Sequence, residues 1–310
     1  MCDNKINGFA SKMIPTKSGS IFAHTGGSGP PVLLLHGFPE TSLMWHAVAP
    51  RLAADFQVVA ADLPGYGRSD CPVHGKDHVA MSKRALAQTL VEVMRQLGHD
   101  TFAIVGHDRG GRVAYRAALD HAGVITRVAV LDVVPTADVW DRADDRLMLS
   151  FWPFSLLAQP APLPERLIAG DPQAVIDNAL SSWGSSPKAF PDWLRTAYVE
   201  ALSSPEHVHA ICEEYRAAAT VDRENDRASR SSGDRIECPL LALWSADGAV
   251  GTWYENEGGP LEIWRRWAPD VRGAPMSGGH FFPEEQPIET ANYLRDFLAT
   301  NRQQPAAART

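Results

Sequence analysis

The feature that most constrains this chain is Val105-Gly106-His107-Asp108-Arg109-Gly110-Gly111, which lies between a short apolar run, Phe102–Val105, and a helix-length stretch, Gly111–Asp120. Glycines placed two residues before and two after a central residue mark a strained strand-to-helix turn, where backbone approaches too closely for a Cβ. Such a turn presents the central side chain at the carboxyl end of a strand. Serine is common there, and this chain has Asp108. A carboxylate so placed is a candidate nucleophile for saturated carbon, because the ester it forms can later be hydrolysed, whereas a serine would leave an ether. The simpler alternative is that Asp108 merely caps the following helix.

The surroundings favour the first reading. Short apolar runs bounded by Gly, Pro or Asp recur at Val32–Leu35, Gln57–Ala61, Phe102–Val105, Arg127–Leu131 and Leu240–Trp244, and they read as buried strands. Amphipathic stretches such as Lys83–Leu97 and Gly111–Asp120 lie between them, and a final helix is expected over Pro287–Leu298. That alternation predicts an α/β class with a mostly parallel sheet covered by helices. After Pro135 the rhythm breaks, so residues 136–235 are expected to form an inserted helical cap, with the core in residues 1–135 and 236–300 and a flexible tail at 301–310. Within the cap, Trp152–Pro164 cannot be one continuous helix because its prolines remove amide donors. The charged, Ser-rich stretch Asp222–Asp234 reads as the linker returning to the core.

Composition narrows the partners. The 310 residues carry a net charge of −8, which opposes nucleic acid and anionic membranes and means that an anionic small substrate would need a local cationic clamp. No apolar run reaches the roughly 20 residues of a membrane span. Four cysteines without a C-x-x-C spacing suggest neither a zinc site nor a disulfide framework, and the cytoplasm is the expected compartment.

Two further segments complete a candidate site. His36-Gly37-Phe38-Pro39 follows a strand where backbone amides can form an oxyanion hole, the donors being the N–H groups of Phe38 and Arg109, with His36 structural. Ser277-Gly278-Gly279-His280-Phe281-Phe282 places His280 in a Gly-rich loop before the last helix, as a general base. Asp132 and Asp247 both follow strands, and either could orient its imidazole.

Taken together, H-G-F-P (36–39), D-L-P-G-Y-G-R-S-D (62–70), G-H-D-R-G-G-R (106–112), L-D-V-V-P-T (131–136), L-A-Q-P-A-P-L-P-E (157–165), C-E-E-Y-R-A (212–217) and G-G-H-F-F (278–282) resemble the haloacetate and fluoroacetate dehalogenases, an α/β-hydrolase-fold family, over residues 20–300. The resemblance implies Asp108 as nucleophile, Asp132 as triad acid and His280 as base, with no metal or organic cofactor. It also implies that Arg109 and Arg112 hold a substrate carboxylate and that the protein is a homodimer. Arginines three apart on a first helical turn can share a side, though pairing with an acid such as Asp138 is the alternative.

Family members cradle the departing halide with a cap His and Trp, often helped by a Tyr. Those positions are Pro153, Phe154 and Thr220 here, with Trp152 as a neighbouring N–H donor. Fluoride needs donors, so chloride or bromide is the expected leaving group. Epoxide hydrolases are the nearest alternative. They use two cap tyrosines, for which Tyr215 and Tyr198 are the candidates. Arg109, where haloalkane dehalogenases usually have Trp, disfavours neutral haloalkanes. A non-catalytic small-acid receptor is disfavoured by the retained Asp108, Asp132 and His280.

Overall fold

A computed structural model describes residues 6–73 and 75–300, so the tail expected at 301–310 lies outside the described residues. Among the described residues eight strands form one sheet: β1 (Ala10–Thr16), β2 (Gly19–Gly26), β3 (Pro31–Leu35), β4 (Gln57–Ala61), β5 (Phe102–His107), β6 (Ile125–Leu131), β7 (Leu240–Ser245) and β8 (Val271–Met276). Their spatial order is β1-β2-β4-β3-β5-β6-β7-β8. The first two strands run antiparallel, and pairing from β4 through β8 is parallel. All five expected strands are present, each central one an apolar run buried on both faces because helices cover both sides of the sheet. The sequence reading passed over β1, β2 and β8. The edge strands β1 and β8 are largely exposed or half-buried and so lack a continuous apolar run.

Helix α1 (Lys83–Gln96) begins at Ser82, whose side chain accepts the amide of Ala85. Helix α2 (Asp108–Asp120) begins at the turn itself, three residues before the expected Gly111. Between β6 and β7 the chain is almost wholly helical, and Trp152–Pro164 breaks as expected into a short helix, Pro153–Leu156, a turn, and the start of Leu163–Gly170. The inserted helices include α3 (Asp192–Leu202), α4 (Pro205–Ala219) and α5 (Val221–Ser232), and α6 (Pro287–Ala299) closes the fold. Among the described residues no helix is long and apolar enough to cross a membrane.

Helix α5 corrects the linker expected at Asp222–Asp234. Its charges are used inward: Asp222 receives the backbone amide and Nζ of Lys83, Asp226 binds Tyr115, and Ser229 accepts from Arg116, while Gly233 ends the helix in the left-handed region. Spacing of three to four residues puts these polar groups on one stripe, so the helix packs through hydrogen bonds and hydropathy gives no sign of it.

One carboxylate ties both ends of the insertion to α2. Asp226 Oδ2 accepts from the hydroxyl of Tyr115 at 2.8 Å and from the amide of Ala137 at 3.0 Å. Burial outweighs the attraction of Arg116 and pushes the Asp226 carboxyl up to about 6. A carboxyl raised on folding stabilises most below its unfolded value, and that contribution is lost as pH rises through the folded value. Urea denaturation should therefore show the native protein losing about 3 kcal/mol more than Asp226→Asn between about pH 4 and about pH 7.

Candidate active site

The turn after β5 has the steric character its glycines implied. A Cβ on Gly106 would lie 2.2 Å from the carbonyl oxygen of Gly110, and one on Gly110 would lie 2.4 Å from that of His36. This close approach brings β3 and its following loop against the turn. Asp108 takes φ 42°, a strained value for a side-chain-bearing residue, and its carboxylate emerges at the end of β5 with only 7% of the residue exposed. The amide of Phe38 donates to its Oδ2 at 3.1 Å. The Arg109 amide is the next along the chain, on α2. His36 is structural, as expected: Nδ1 donates to the carbonyl of Gly37 at 2.8 Å and Nε2 accepts the amide of Leu63 at 2.9 Å.

Asp132, also in the left-handed region at φ 54°, leaves the end of β6. Its Oδ1 accepts the amide of Ser245 at 2.9 Å and its Oδ2 lies 2.7 Å from His280 Nδ1. With Nδ1 donating to the carboxylate, Nε2 is free to take a proton. The backbone amide of His280 donates to the carbonyl of Trp183 at 2.9 Å, and the rings of Phe151, Trp183 and Phe281 pack around the imidazole. Of the two acids left open by strand position, Asp132 meets the histidine, whereas Asp247 is exposed on the rim of a cavity of about 250 Å³ shared with Asp132 and His280.

Burial would push the Asp108 carboxyl up, but His280, Arg109, His107 and Arg112 outweigh it and hold the group below the ordinary range. It is therefore ionised throughout neutral pH. Arg109 is itself buried and forms a forked pair with Glu214, Nε to Oε2 at 2.7 Å and Nη2 to Oε1 at 2.7 Å, while its guanidinium carbon lies 4.0 Å from the centre of the Tyr215 ring. Glu214 also meets Lys83, which bonds Asp222 at 3.1 Å. Burial pushes the Glu214 carboxyl up and is outweighed by Arg109 and Lys83, which hold it low.

The expected pair of free arginines is therefore corrected in part. Arg109 keeps one buried nitrogen, Nη1, without a hydrogen-bond partner, and Arg112 gives Nη1 to the carbonyl of Val134 at 3.0 Å and leaves Nε without one. Both guanidinium groups lie over the same Phe154 ring, at 5.9 and 5.4 Å, so they do share a side. The alternative partner Asp138 binds Arg230 and Trp267 instead.

The cap residues divide. Phe154 and Tyr215 stand at the site, Tyr215 packing edge-on against Phe38 and Phe154. Trp152 reaches the edge of Phe38, but its indole N–H donates to Asn178 at 2.9 Å, so it is not held for a leaving group. Thr220 is exposed, donates to the carbonyl of Arg216 at 2.7 Å and lines an outer cavity of about 550 Å³ with Lys76, His78 and His209. As the residue directly after α4, it faces that outer cavity. Tyr198 donates to Glu284 at 2.9 Å and cannot serve as a second phenol at the site.

Sequence reasoning missed Glu214 and Lys83, although C-E-E-Y-R-A had already drawn attention to the neighbouring Tyr215. It also missed Glu40, His107 and Glu284, which surround the elbow. An acidic residue directly after H-G-F-P was the available signal for Glu40. Removing Arg109 leaves Glu214 buried with half its compensation. Arg109→Ala should destabilise the fold by about 3 kcal/mol by chemical denaturation, the low end for a broken buried pair because Lys83 remains.

Comparison with known proteins agrees with this architecture. Residues 30–257 match the family model described as alpha/beta hydrolase fold. The chain is 38% identical over 296 residues to a fluoroacetate dehalogenase from Burkholderia sp., covering 95% of each chain. It is 31% identical to a soluble epoxide hydrolase from Corynebacterium sp. (strain C12), covering 86% of this chain and 90% of that one. A solved structure of an alpha/beta hydrolase from Nostoc sp. PCC 7120 superimposes with a TM-score of 0.92 at 41% identity, covering 96% of this chain and all of that one. An eight-stranded sheet whose turns carry an acid, a second acid and a histidine, with this likeness along its length, belongs to the α/β-hydrolase family, among hydrolases related to fluoroacetate dehalogenase and the epoxide hydrolases.

Proposed function

We propose that the protein hydrolyses the carbon–halogen bond of short 2-haloacids such as chloroacetate, yielding 2-hydroxyacids. The observation that carries this reading is a buried, ionised Asp108 with two arginines of its own helix facing the Phe154 side of the site. In the first step an Asp108 oxygen attacks the carbon bearing the halogen. The C–O bond forms as the carbon–halogen bond breaks, and halide leaves with the electron pair. In the second, His280 Nε2 takes a proton from water, which attacks the ester carbonyl of Asp108. The amides of Phe38 and Arg109 stabilise the oxyanion, whose collapse breaks the acyl C–O bond; the released oxygen takes the proton of the new carboxyl group and departs as the hydroxyacid, the Asp108 carboxylate is regenerated, and His280 gives its proton to solvent. Asp132 holds the imidazole in the tautomer this needs. Unpartnered nitrogens on Arg109 and Arg112 supply the attraction for a substrate carboxylate. Such a substrate also suits a cytoplasmic enzyme that approaches neither nucleic acid nor membrane.

The Burkholderia relative is named for fluoroacetate. Fluoride departs only with strong hydrogen bonding, and in this chain Pro153 and Phe154 have no donor to give while Trp152 and Thr220 are engaged elsewhere. Each missing charge-assisted bond costs about 1.5–3 kcal/mol, roughly ten- to a hundredfold in rate. Chloride and bromide, which leave more easily, are the better fit. Epoxide hydrolysis is the second reading, favoured by the buried Tyr215 phenol beside Phe38. With Tyr198 committed to Glu284, a second phenol to protonate an opening oxirane is lacking.

Halide release from chloroacetate and fluoroacetate, with diol formation from an epoxide in parallel, decides among these. Chloride release should fall by about a thousandfold or more in Asp108→Ala, and His280→Gln should accumulate an Asp108 ester visible as added mass on the intact protein. Diol without chloride would replace the dehalogenase reading with the epoxide one.

A further inference from the structure

Four buried polar side chains that the reaction does not use are joined behind the elbow. Glu40 follows β3, His107 ends β5, Glu284 lies four residues after His280, and Tyr198 belongs to α3 of the inserted segment. Tyr198 donates its O–H to Glu284 Oε1 at 2.9 Å. Glu40 Oε2 accepts the amide of Gly37 at 3.1 Å and lies 3.0 Å from His107 Nδ1. His107 Nε2 donates to the backbone carbonyl of His280 at 2.8 Å. Between the two ends, the carboxyl groups of Glu40 and Glu284 meet each other. Each retains one buried oxygen, Glu40 Oε1 and Glu284 Oε2, with no other donor.

Two ionised carboxylates have no hydrogen between them and repel, so a carboxyl–carboxyl bond in a buried site requires a proton. We propose that Glu40 and Glu284 share one proton, and that this carboxyl–carboxylate bond is a positioning pair holding the His280 loop and helix α3 onto the elbow. Glu284 carries the proton and Glu40 the charge, so that the Tyr198 hydroxyl meets the carbonyl oxygen of Glu284 and the Glu40 carboxylate accepts from Gly37 and from a His107 ring that donates at both nitrogens. The pair acts through His107 on the His280 backbone and touches no reacting atom.

The charged and titratable groups facing the pair are His107, His280, Asp108, Tyr198 and, through Tyr198, Asp62. Burial and the mutual effect of the two acids push Glu284 well above the ordinary carboxyl range, and burial pushes Glu40 to about 7. As pH rises and the shared proton is lost, two buried negative charges face each other and the His280 loop loses its anchor. In Glu284→Gln the amide N–H takes the proton's place permanently and the amide oxygen keeps its bond from Tyr198.

Infrared difference spectroscopy of the full chain during a pH titration reads this proton directly. The native protein should show a protonated-carboxyl C=O band that bleaches as pH rises beyond the range in which Asp226 ionises. The band should be missing in Glu284→Gln and persist to higher pH in Tyr198→Phe, which removes a bond that favours ionisation of Glu284. A band unchanged in Glu284→Gln overturns the proposal. Should that variant not fold, an unshifted midpoint in Tyr198→Phe overturns it equally. A second arm rests on the dehalogenase reading. Glu284→Gln should keep chloroacetate turnover within about threefold of native at neutral pH and lose the alkaline fall that the native profile shows. Chloroacetate left untouched by the native protein would end the dehalogenase reading while the infrared result still judges the pair. A native alkaline limb retained in Glu284→Gln would overturn the positioning role.

Discussion

One buried negative charge organises this molecule. Asp108 is held at the carboxyl end of a central strand by a turn that has no room for side chains at Gly106 and Gly110, so the chain cannot relieve its burial by swinging it outward. A desolvated carboxylate left alone would bind a proton and lose its nucleophilicity. What keeps it ionised is the attraction of His280, Arg109, His107 and Arg112, drawn from two separate positions in the sheet order, the end of β5 and the end of β8. The site is thus an electrostatic balance imposed on a steric one.

That compensation creates a second need, because Arg109 is as buried as the group it stabilises. Glu214 answers it from the inserted segment, Lys83 answers Glu214 from α1, and Asp222 answers Lys83 from α5. The seam between insert and sheet is therefore charged as well as apolar. Alternating charges fix one position of the insert over the elbow, since a slide of one helical turn would leave a buried ion unpaired at a cost of several kcal/mol. Asp226 repeats the device at the two ends of the insertion. The same order that keeps Arg109 attached to Glu214 leaves only part of its guanidinium facing the site, so binding of an anion there draws on a partly neutralised cation.

The aromatic side of the site follows from this framework. Phe154, Tyr215 and Phe38 surround the arginines and exclude water, which strengthens each remaining electrostatic term. On the histidine side, Phe151, Trp183 and Phe281 pack the imidazole while a cavity beside Asp132 and Asp247 reaches it.

By itself the sequence determined the sheet's central strands, the elbow, the helical insertion and the three residues Asp108, Asp132 and His280 as candidates, because each depends on local signals: apolar runs of strand length, glycines at fixed offsets, and acids or a histidine directly after strands. Resemblance to a family then preferred Asp132 over Asp247, and the distance to His280 agrees with that preference. Only the tertiary structure decided how the charged side chains are spent. Arg109 meets Glu214 across 105 residues and His107 meets Glu40 across 67, separations at which no spacing pattern survives. Helix α5 looked like a linker because its buried face is polar, and hydropathy does not distinguish a charge that faces water from one that faces a partner. Thr220 and Trp152 were placed by alignment of short motifs, yet a side chain's direction depends on where its helix ends and on which neighbour claims its hydrogen bond. Those are properties of packing, and packing is settled by all the elements at once.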